Sequence, residues 1–440
     1  MIFGKTKSVC PLCLRELDAK KRAEKDGIYL DKTCPEHGAF SALIWEGNLA
    51  SYLRWNTENR AVDPPRNGKA PDRGCPYDCG LCTEHLRKGC CMLLELTKRC
   101  DLRCPVCFAS AGETEGTDLP LEEIARQYDA LVAHGGPFNI QLSGGEPTVR
   151  DDLSEIIRLG REKGFTFFQL NTNGLRLASD PDYAKKLRAA GLNTVFLQFD
   201  GMEDMVYITL RGRALLEEKK RCVANCAAAG LGVVLVPVLA AGVNEDQVGP
   251  ILRYALENRP GVRGVHFQPL SYFGRCALAR PEKPLTIPAV LRLMEEQTGG
   301  LLRASDFTGG GAENPYCSFH AGYRVRPDGT LKCLPRRSGG DCCCTASDDS
   351  RTSVAEQWSG AEPLYVPDGE LTETSSLDAF LAEARMSSFT VSGMVFQDAW
   401  TLDLGRLRRC HICEVDSRYG MVPFCAYNLT NTQGEALYRR

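Results

Sequence analysis

The stretch Glu95-Leu96-Thr97-Lys98-Arg99-Cys100-Asp101-Leu102-Arg103-Cys104-Pro105-Val106-Cys107-Phe108 decides the fold. Its cysteines, Cys100, Cys104 and Cys107, follow an apolar run with the spacing C-x3-C-x2-C. Three thiolates on a four-iron cluster leave one iron open to an outside ligand, and an open metal position separates a reactive site from a structural one. Two plainer readings stand beside this one: a structural zinc, or a closed cluster completed by Cys90 or Cys91. Position speaks against both. The motif sits at the end of the first strand of an alternating pattern, the end where loops build active sites on βα barrels.

Outward from that strand, Cys91 to about Gly300 alternates apolar runs with amphipathic helical patterns, the signature of βα units around a parallel sheet. Six strands are expected: Met92 to Thr97, Phe138 to Ser143, Thr166 to Leu170, Thr194 to Phe199, Val233 to Leu239 and Gly264 to Pro269. Helices are expected over Leu121 to Ala133, Leu153 to Lys163, Tyr183 to Ala190, Leu215 to Ala229, Gln247 to Leu256 and Ile287 to Gln297. Val233-Val234-Leu235-Val236 is apolar on both faces, as a strand covered by helices must be. The fold class is therefore α/β, with a partial (β/α)6 barrel over residues 92–300. A rubredoxin-like or zinc-ribbon-like metal domain is expected over 1–62, a linker and cluster segment over 63–91, and a cysteine-rich extension over 301–440. Within the extension, Tyr323 to Cys333 reads as a hairpin turning at Pro327-Asp328-Gly329.

Twenty-two cysteines are too many for ordinary packing and, in a reducing compartment, point to metal ligands rather than disulfides. A cytoplasmic location is expected, because Met1 to Lys7 carries no apolar signal region. The longest nearly apolar stretch, Leu231 to Val243, is broken by Gly232, Pro237 and Gly242 and falls short of the roughly 18 residues that span a bilayer. Lys and Arg total 53 against 56 Asp and Glu, so no basic field favours nucleic acid as a partner.

Three further cysteine groups are visible. Cys10, Cys13, Cys34 and His37 form C-x2-C…C-x2-H, a tetrahedral site for one zinc or iron. Cys75, Cys79 and Cys82 repeat the C-x3-C-x2-C spacing ahead of the barrel, and Cys90 is read as the fourth thiolate of a closed auxiliary cluster, with zinc as the alternative. In the tail, Cys317, Cys410, Cys413 and Cys425 are candidates for another auxiliary cluster, with Cys333 nearby in sequence. Cys342-Cys343-Cys344 reads as a thiol-rich loop, and Cys222 and Cys226 as core residues one helical turn apart.

One strand after the first triad comes Gln141-Leu142-Ser143-Gly144-Gly145-Glu146-Pro147-Thr148. Together, the triad and Gly144-Gly145-Glu146 resemble the radical S-adenosylmethionine superfamily over about Cys91 to Gly300. The resemblance implies a 4Fe-4S cluster whose open iron binds S-adenosylmethionine, and reduction of the sulfonium to a 5′-deoxyadenosyl radical. Gly144 and Gly145 would then let the backbone approach the cofactor, with Glu146 accepting from its ammonium group. Asn171, Gln198, Asp200 and His266, at later strand ends, are candidate cofactor contacts, with Asp200 and Asn171 first; each could instead cap a turn or satisfy the core. One departure is Val106, where an aromatic residue often precedes the third cysteine.

Over nearly the whole chain, the motifs Cys10-Pro-Leu-Cys13, Lys32-Thr-Cys34-Pro-Glu-His37-Gly38, Gly74-Cys75-Pro-Tyr-Asp-Cys79-Gly-Leu-Cys82, Phe199-Asp200-Gly201 and Pro423-Phe-Cys425-Ala-Tyr-Asn428 resemble a narrower group. It holds archaeal tetraether lipid synthase and related proteins first described as pterin methylases. That likeness makes radical carbon–carbon bond formation on a lipid-like alkyl chain the leading expectation. Radical methylation of a pterin-like molecule or lipid, and modification of a peptide, are the alternatives. A low-potential flavodoxin or ferredoxin is the expected electron donor, and peripheral membrane contact is left open although no basic amphipathic helix stands out.

Overall fold

Four antiparallel strands open the chain: β1 (Ile2–Val9), β2 (Glu16–Ala23), β3 (Gly27–Cys34) and β4 (Gly38–Glu46), paired in sequence order. The computed structural model describes residues 1–56, 64–65, 68–80, 82–112, 118–310, 313–326, 328–334, 346–360 and 386–439. Cys342, Cys343 and Cys344 and part of the expected linker lie outside them. The ribbon docks through Lys32, whose buried Nζ donates to Ser8 Oγ at 2.9 Å and to the carbonyls of Ala399 and Trp400 at 2.7 and 3.0 Å.

The six expected barrel strands form: β5 (Cys91–Glu95), β6 (Asn139–Ser143), β7 (Phe168–Thr172), β8 (Thr194–Gln198), β9 (Gly232–Val236) and β10 (Val262–Pro269). Each runs parallel to its neighbour. Helices α1 (Leu121–Ala133), α2 (Leu153–Glu162), α3 (Pro181–Ala190), α4 (Asp204–Arg211), α5 (Leu216–Ala228), α6 (Val248–Glu257) and α7 (Ile287–Gln297) connect or follow them. Five were expected between the strands and one after β10; α4 was not, because its eight residues follow a loop with no clear capping signal.

The residues after 300 extend the sheet at both edges. They supply β11 (Ser318–Val325), β12 (Leu331–Cys333), β13 (Ser388–Met394), β14 (Ile412–Asp416) and β15 (Gly420–Pro423). The order is β12-β11-β13-β10-β9-β8-β7-β6-β5-β14-β15. Strand β13 lies parallel to β10, and β14 parallel to β5. The hairpin expected over Tyr323 to Cys333 is the β11–β12 pair.

Helix α8 (Ala346–Trp358) packs against β9, β10 and β13. The Arg351 carbonyl accepts from Asn139 Nδ2 at 3.0 Å, and the Trp358 ring lies 4.9 Å from that of Phe196. Asn139 begins β6, so α8 lies across the amino-terminal end of the barrel, opposite the rim that carries the cysteine triad. Among the described residues no helix is long and apolar enough to cross a membrane.

Candidate functional site

A cavity of about 450 Å³ occupies the barrel interior, and Cys100, Cys104 and Cys107 line it together with Gly144, Gly145 and Glu146. The two glycines serve loop-on-loop packing. A Cβ on Gly145 would lie 2.1 Å from the Arg99 carbonyl oxygen, and one on Gly144, whose φ is +124°, would lie 2.4 Å from that of Thr97. Backbone bonds close the same contact, from Gly145 N to Thr97 O at 2.7 Å and from Glu146 N to Arg99 O at 2.9 Å. The glycines thus bring the loop after β6 against the loop that enters the triad.

Glu146 ties this contact to the next strand. Its Oε1 accepts from Thr148 N at 3.0 Å, Thr148 Oγ1 at 2.7 Å and Thr172 Oγ1 at 2.7 Å, and its Oε2 accepts from Asn173 N at 2.7 Å. Burial pushes the carboxyl up from its ordinary value, and these donors offset only part of the rise. Oε2, with one donor, has lone-pair capacity for a second.

Asn171, Gln198 and His266 also line the cavity. Asn171 Nδ2 donates to Gln141 Oε1 at 3.1 Å and its Oδ1 accepts from Gln169 Nε2 at 2.9 Å, which makes an amide belt on the wall. His266 Nδ1 lies 2.9 Å from Ser392 Oγ, and burial brings its imidazole down to about 4. Asp200 behaves otherwise than expected. It is fully buried behind the wall, and its oxygens bind Arg211 Nε and Nη2 at 2.7 and 2.8 Å and Val238 N at 3.0 Å. The cavity residue is Arg211, which also donates from Nη1 to the Val106 carbonyl at 3.0 Å inside the triad. A strand-end carboxylate looks the same in sequence whether it faces inward or outward, so this pairing was missed.

The remaining candidate ligands fall into three places. Cys10, Cys13, Cys34 and His37 hold their ligand atoms within 4.8 Å of one another, the one such gathering among the described residues. Sulfur ligands around one tetrahedral ion at 2.3 Å stand about 3.8 Å apart, so this spacing suits a mononuclear metal. Cys75, Cys79 and Cys82 surround a small separate pocket with His85 and Arg408. Cys90 is not part of it. Cys90 lies instead on the wall of the large cavity, where its thiol is raised by burial and by Cys91, Glu313, Cys413 and Cys410. Sequence adjacency pointed to Cys82, whereas β5 begins at Cys91 and carries Cys90 into the barrel wall. Cys317, Cys410 and Cys425 share one region, since burial followed by Cys410 and Cys317 raises the Cys425 thiol, while Cys413 neighbours Cys410 from within β14. Cys222 and Cys226 are core residues with sulfurs 4.0 Å apart.

Comparison with known proteins bears on this geometry. The radical SAM superfamily model matches residues 94–255, and the HMPTM N-terminal zinc ribbon domain matches residues 2–46. A 7,8-dihydro-6-hydroxymethylpterin dimethyltransferase from Methanocaldococcus jannaschii is 34% identical over 479 aligned positions, covering 98% of this chain and 94% of the relative. The chain belongs to the radical S-adenosylmethionine superfamily. A second relative, a GTP 3′,8-cyclase from Rhodopirellula baltica, is 28% identical, and the match covers 57% of this chain and 69% of the relative. Among solved structures, Streptococcus suis SuiB bound to S-adenosylmethionine has a TM-score of 0.41 and 16% identity, over 48% of this chain and 47% of that one.

Membership makes this chain an enzyme and brings a 4Fe-4S cluster and S-adenosylmethionine with it. The triad suits a radical SAM cluster on chemical grounds. Burial first, and then the neighbouring Glu146, Asp101 and Cys104, push the Cys100 thiol up to about 12, and burial raises Cys104 as well, so protein groups leave these sulfurs protonated and a cationic cluster would supply what stabilises thiolates. The carboxylate and amides beside the triad offer acceptors to an ammonium-bearing cofactor.

Proposed function

We propose that this radical SAM enzyme methylates a reduced pterin. The observation that carries the reading is the likeness, across nearly the full length of both chains, to a pterin dimethyltransferase. Coupling of lipid alkyl chains, the leading expectation from sequence, has less support. A long apolar tunnel would favour it, whereas the cavity is within the size range of ordinary small-molecule pockets. Its apolar walls carry a belt of amides at Gln141, Gln169 and Asn171, the mixture by which such pockets orient a heterocycle.

In this reading Cys100, Cys104 and Cys107 hold the catalytic cluster, and Gly144, Gly145, Glu146, Asn171 and Gln198 frame the S-adenosylmethionine site. When bound, the pair supplies a carbon radical able to take hydrogen from an unactivated C–H bond. The chain's own residues do the rest. Arg211 fixes the triad loop through Val106, Glu146 fixes the neighbouring loop, and α8 shields the cavity floor from water. The cysteines at 75, 79, 82, 317, 410, 413 and 425 hold auxiliary clusters, Cys10, Cys13, Cys34 and His37 hold one zinc or iron, and a flavodoxin or ferredoxin delivers the electron.

The test is anaerobic turnover of reconstituted enzyme with reductant, S-adenosylmethionine and either 6-hydroxymethyl-7,8-dihydropterin or ether lipid. The pterin is expected to stimulate 5′-deoxyadenosine formation and to gain one or two methyl groups. Stimulation by lipid alone, with a coupled lipid as product, overturns the reading.

A further inference from the structure

The barrel's two sheet edges meet at a pair of residues that no motif announced. Glu313 lies just before β11, and His411 just before β14; both line the cavity. Their side chains are 14% and 8% exposed, with Glu313 Oε2 3.6 Å from His411 Nε2. Ser318 Oγ donates to Glu313 Oε1. That leaves the carboxylate with unused acceptor sites, and His411 Nδ1 is buried without a hydrogen-bond partner. Two buried polar groups with spare capacity, side by side on a cavity wall, are what a polar ligand edge requires.

From these positions we infer that Glu313, with His411 beside it, grips the N–H edge of a 2-amino-4-oxo pyrimidine ring, the polar end of a pterin. The inference rests on the pterin reading and adds the residue that selects the ring. A planar edge presenting a ring N–H and an amino N–H side by side matches the two oxygens of a carboxylate, and such charge-assisted pairs are short and strong.

The placement also orients the molecule. Ile412 pairs with Cys91, the first residue of β5, so His411 sits at the amino-terminal level of that strand. From Cys91 to Glu95 the strand rises about 13 Å toward the triad loop. A pterin held by its pyrimidine ring at Glu313 therefore directs its other ring, which bears the saturated C7, the N8–H and the 6-hydroxymethyl group, toward the cluster end. Phe196 and Trp358, tilted at 4.9 Å, offer flat faces in the same cavity.

The test compares two ligands on two proteins by anaerobic equilibrium dialysis, using cluster-loaded enzyme with S-adenosylmethionine and no reductant. The ligands are 6-hydroxymethyl-7,8-dihydropterin and its counterpart with oxygen in place of the 2-amino group. Wild type is expected to bind the amino form roughly 10- to 100-fold more tightly, the range for hydrogen bonds to a charged group. Glu313→Gln is expected to lose that preference. A purely structural seam contact would leave the preference intact in any folded variant. Equal binding of both ligands by wild type, a comparison that needs no variant, overturns the inference while leaving the pterin reading standing. So does Glu313→Gln with the preference retained. Binding of neither ligand by wild type overturns the pterin reading itself, and this inference with it.

Discussion

Arg211 donates to both carboxylate oxygens of Asp200, at 2.7 and 2.8 Å, and its remaining nitrogen reaches the Val106 carbonyl at 3.0 Å. The first of the two cofactor candidates read from sequence thus acts one residue removed from the cavity. Its charge holds a guanidinium, and the guanidinium holds the loop between Cys104 and Cys107.

Breaking this pair from the Asp200 side leaves a buried, uncompensated cation. Asp200→Ala is therefore expected to destabilise the protein by about 3–5 kcal/mol. It should also loosen the triad, read as lower iron content after reconstitution. A variant with unchanged iron content and unchanged thermal unfolding would show that the pair does not position the loop.

Gly145 offers a cleaner test of loop packing. The added methyl of Gly145→Ala meets the Arg99 carbonyl, which belongs to the backbone and has no side-chain freedom with which to move aside. The loops must part, at a cost above about 1 kcal/mol. The expected readout is loss of S-adenosylmethionine cleavage with the ribbon metal retained. Normal cleavage by a folded Gly145→Ala enzyme would mean that the contact is not needed.

Much of the barrel was legible because its signals are local. Val233-Val234-Leu235-Val236 is apolar on both faces, and it is a fully buried central strand. The pairing of β13 with β10 and of β14 with β5 was not legible, since each joins segments more than a hundred residues apart and no short-range pattern encodes it. The same non-locality hid the site residues that matter beyond the motifs. Cys90 reads as the neighbour of Cys82 until β5 carries it into the cavity wall, and Glu313 reads as part of a glycine-rich loop until the two sheet edges bring it to His411.

The ribbon metal should be separable from the barrel chemistry. Cys10 and Cys13 lie between β1 and β2, Cys34 ends β3 and His37 lies between β3 and β4, and a metal bound only by the folded ribbon contributes its binding energy to folding. Cys13→Ala is expected to remove one metal equivalent per chain and to raise amide exchange across residues 2–46. Unchanged exchange after metal loss would mean that docking through Lys32 holds the ribbon without it.

His266 sets a pH dependence whose sign follows from its burial. The folded protein holds this imidazole neutral down to about 4, because burial disfavours its charge more than Glu313 favours it, whereas the unfolded chain protonates it near 6.5. Between those values the unfolded state binds the extra proton, so stability falls as pH is lowered through the window and is regained as pH rises. At about pH 5 the penalty from this one residue is about 2 kcal/mol relative to about pH 7. His266→Asn keeps a polar group beside Ser392 but cannot titrate. Denaturant unfolding at the two pH values should show wild type losing about that much more than the variant, whatever the other acid-sensitive groups contribute to both. Equal losses would place the imidazole proton elsewhere than this argument puts it, in a site hydrated enough to carry the charge.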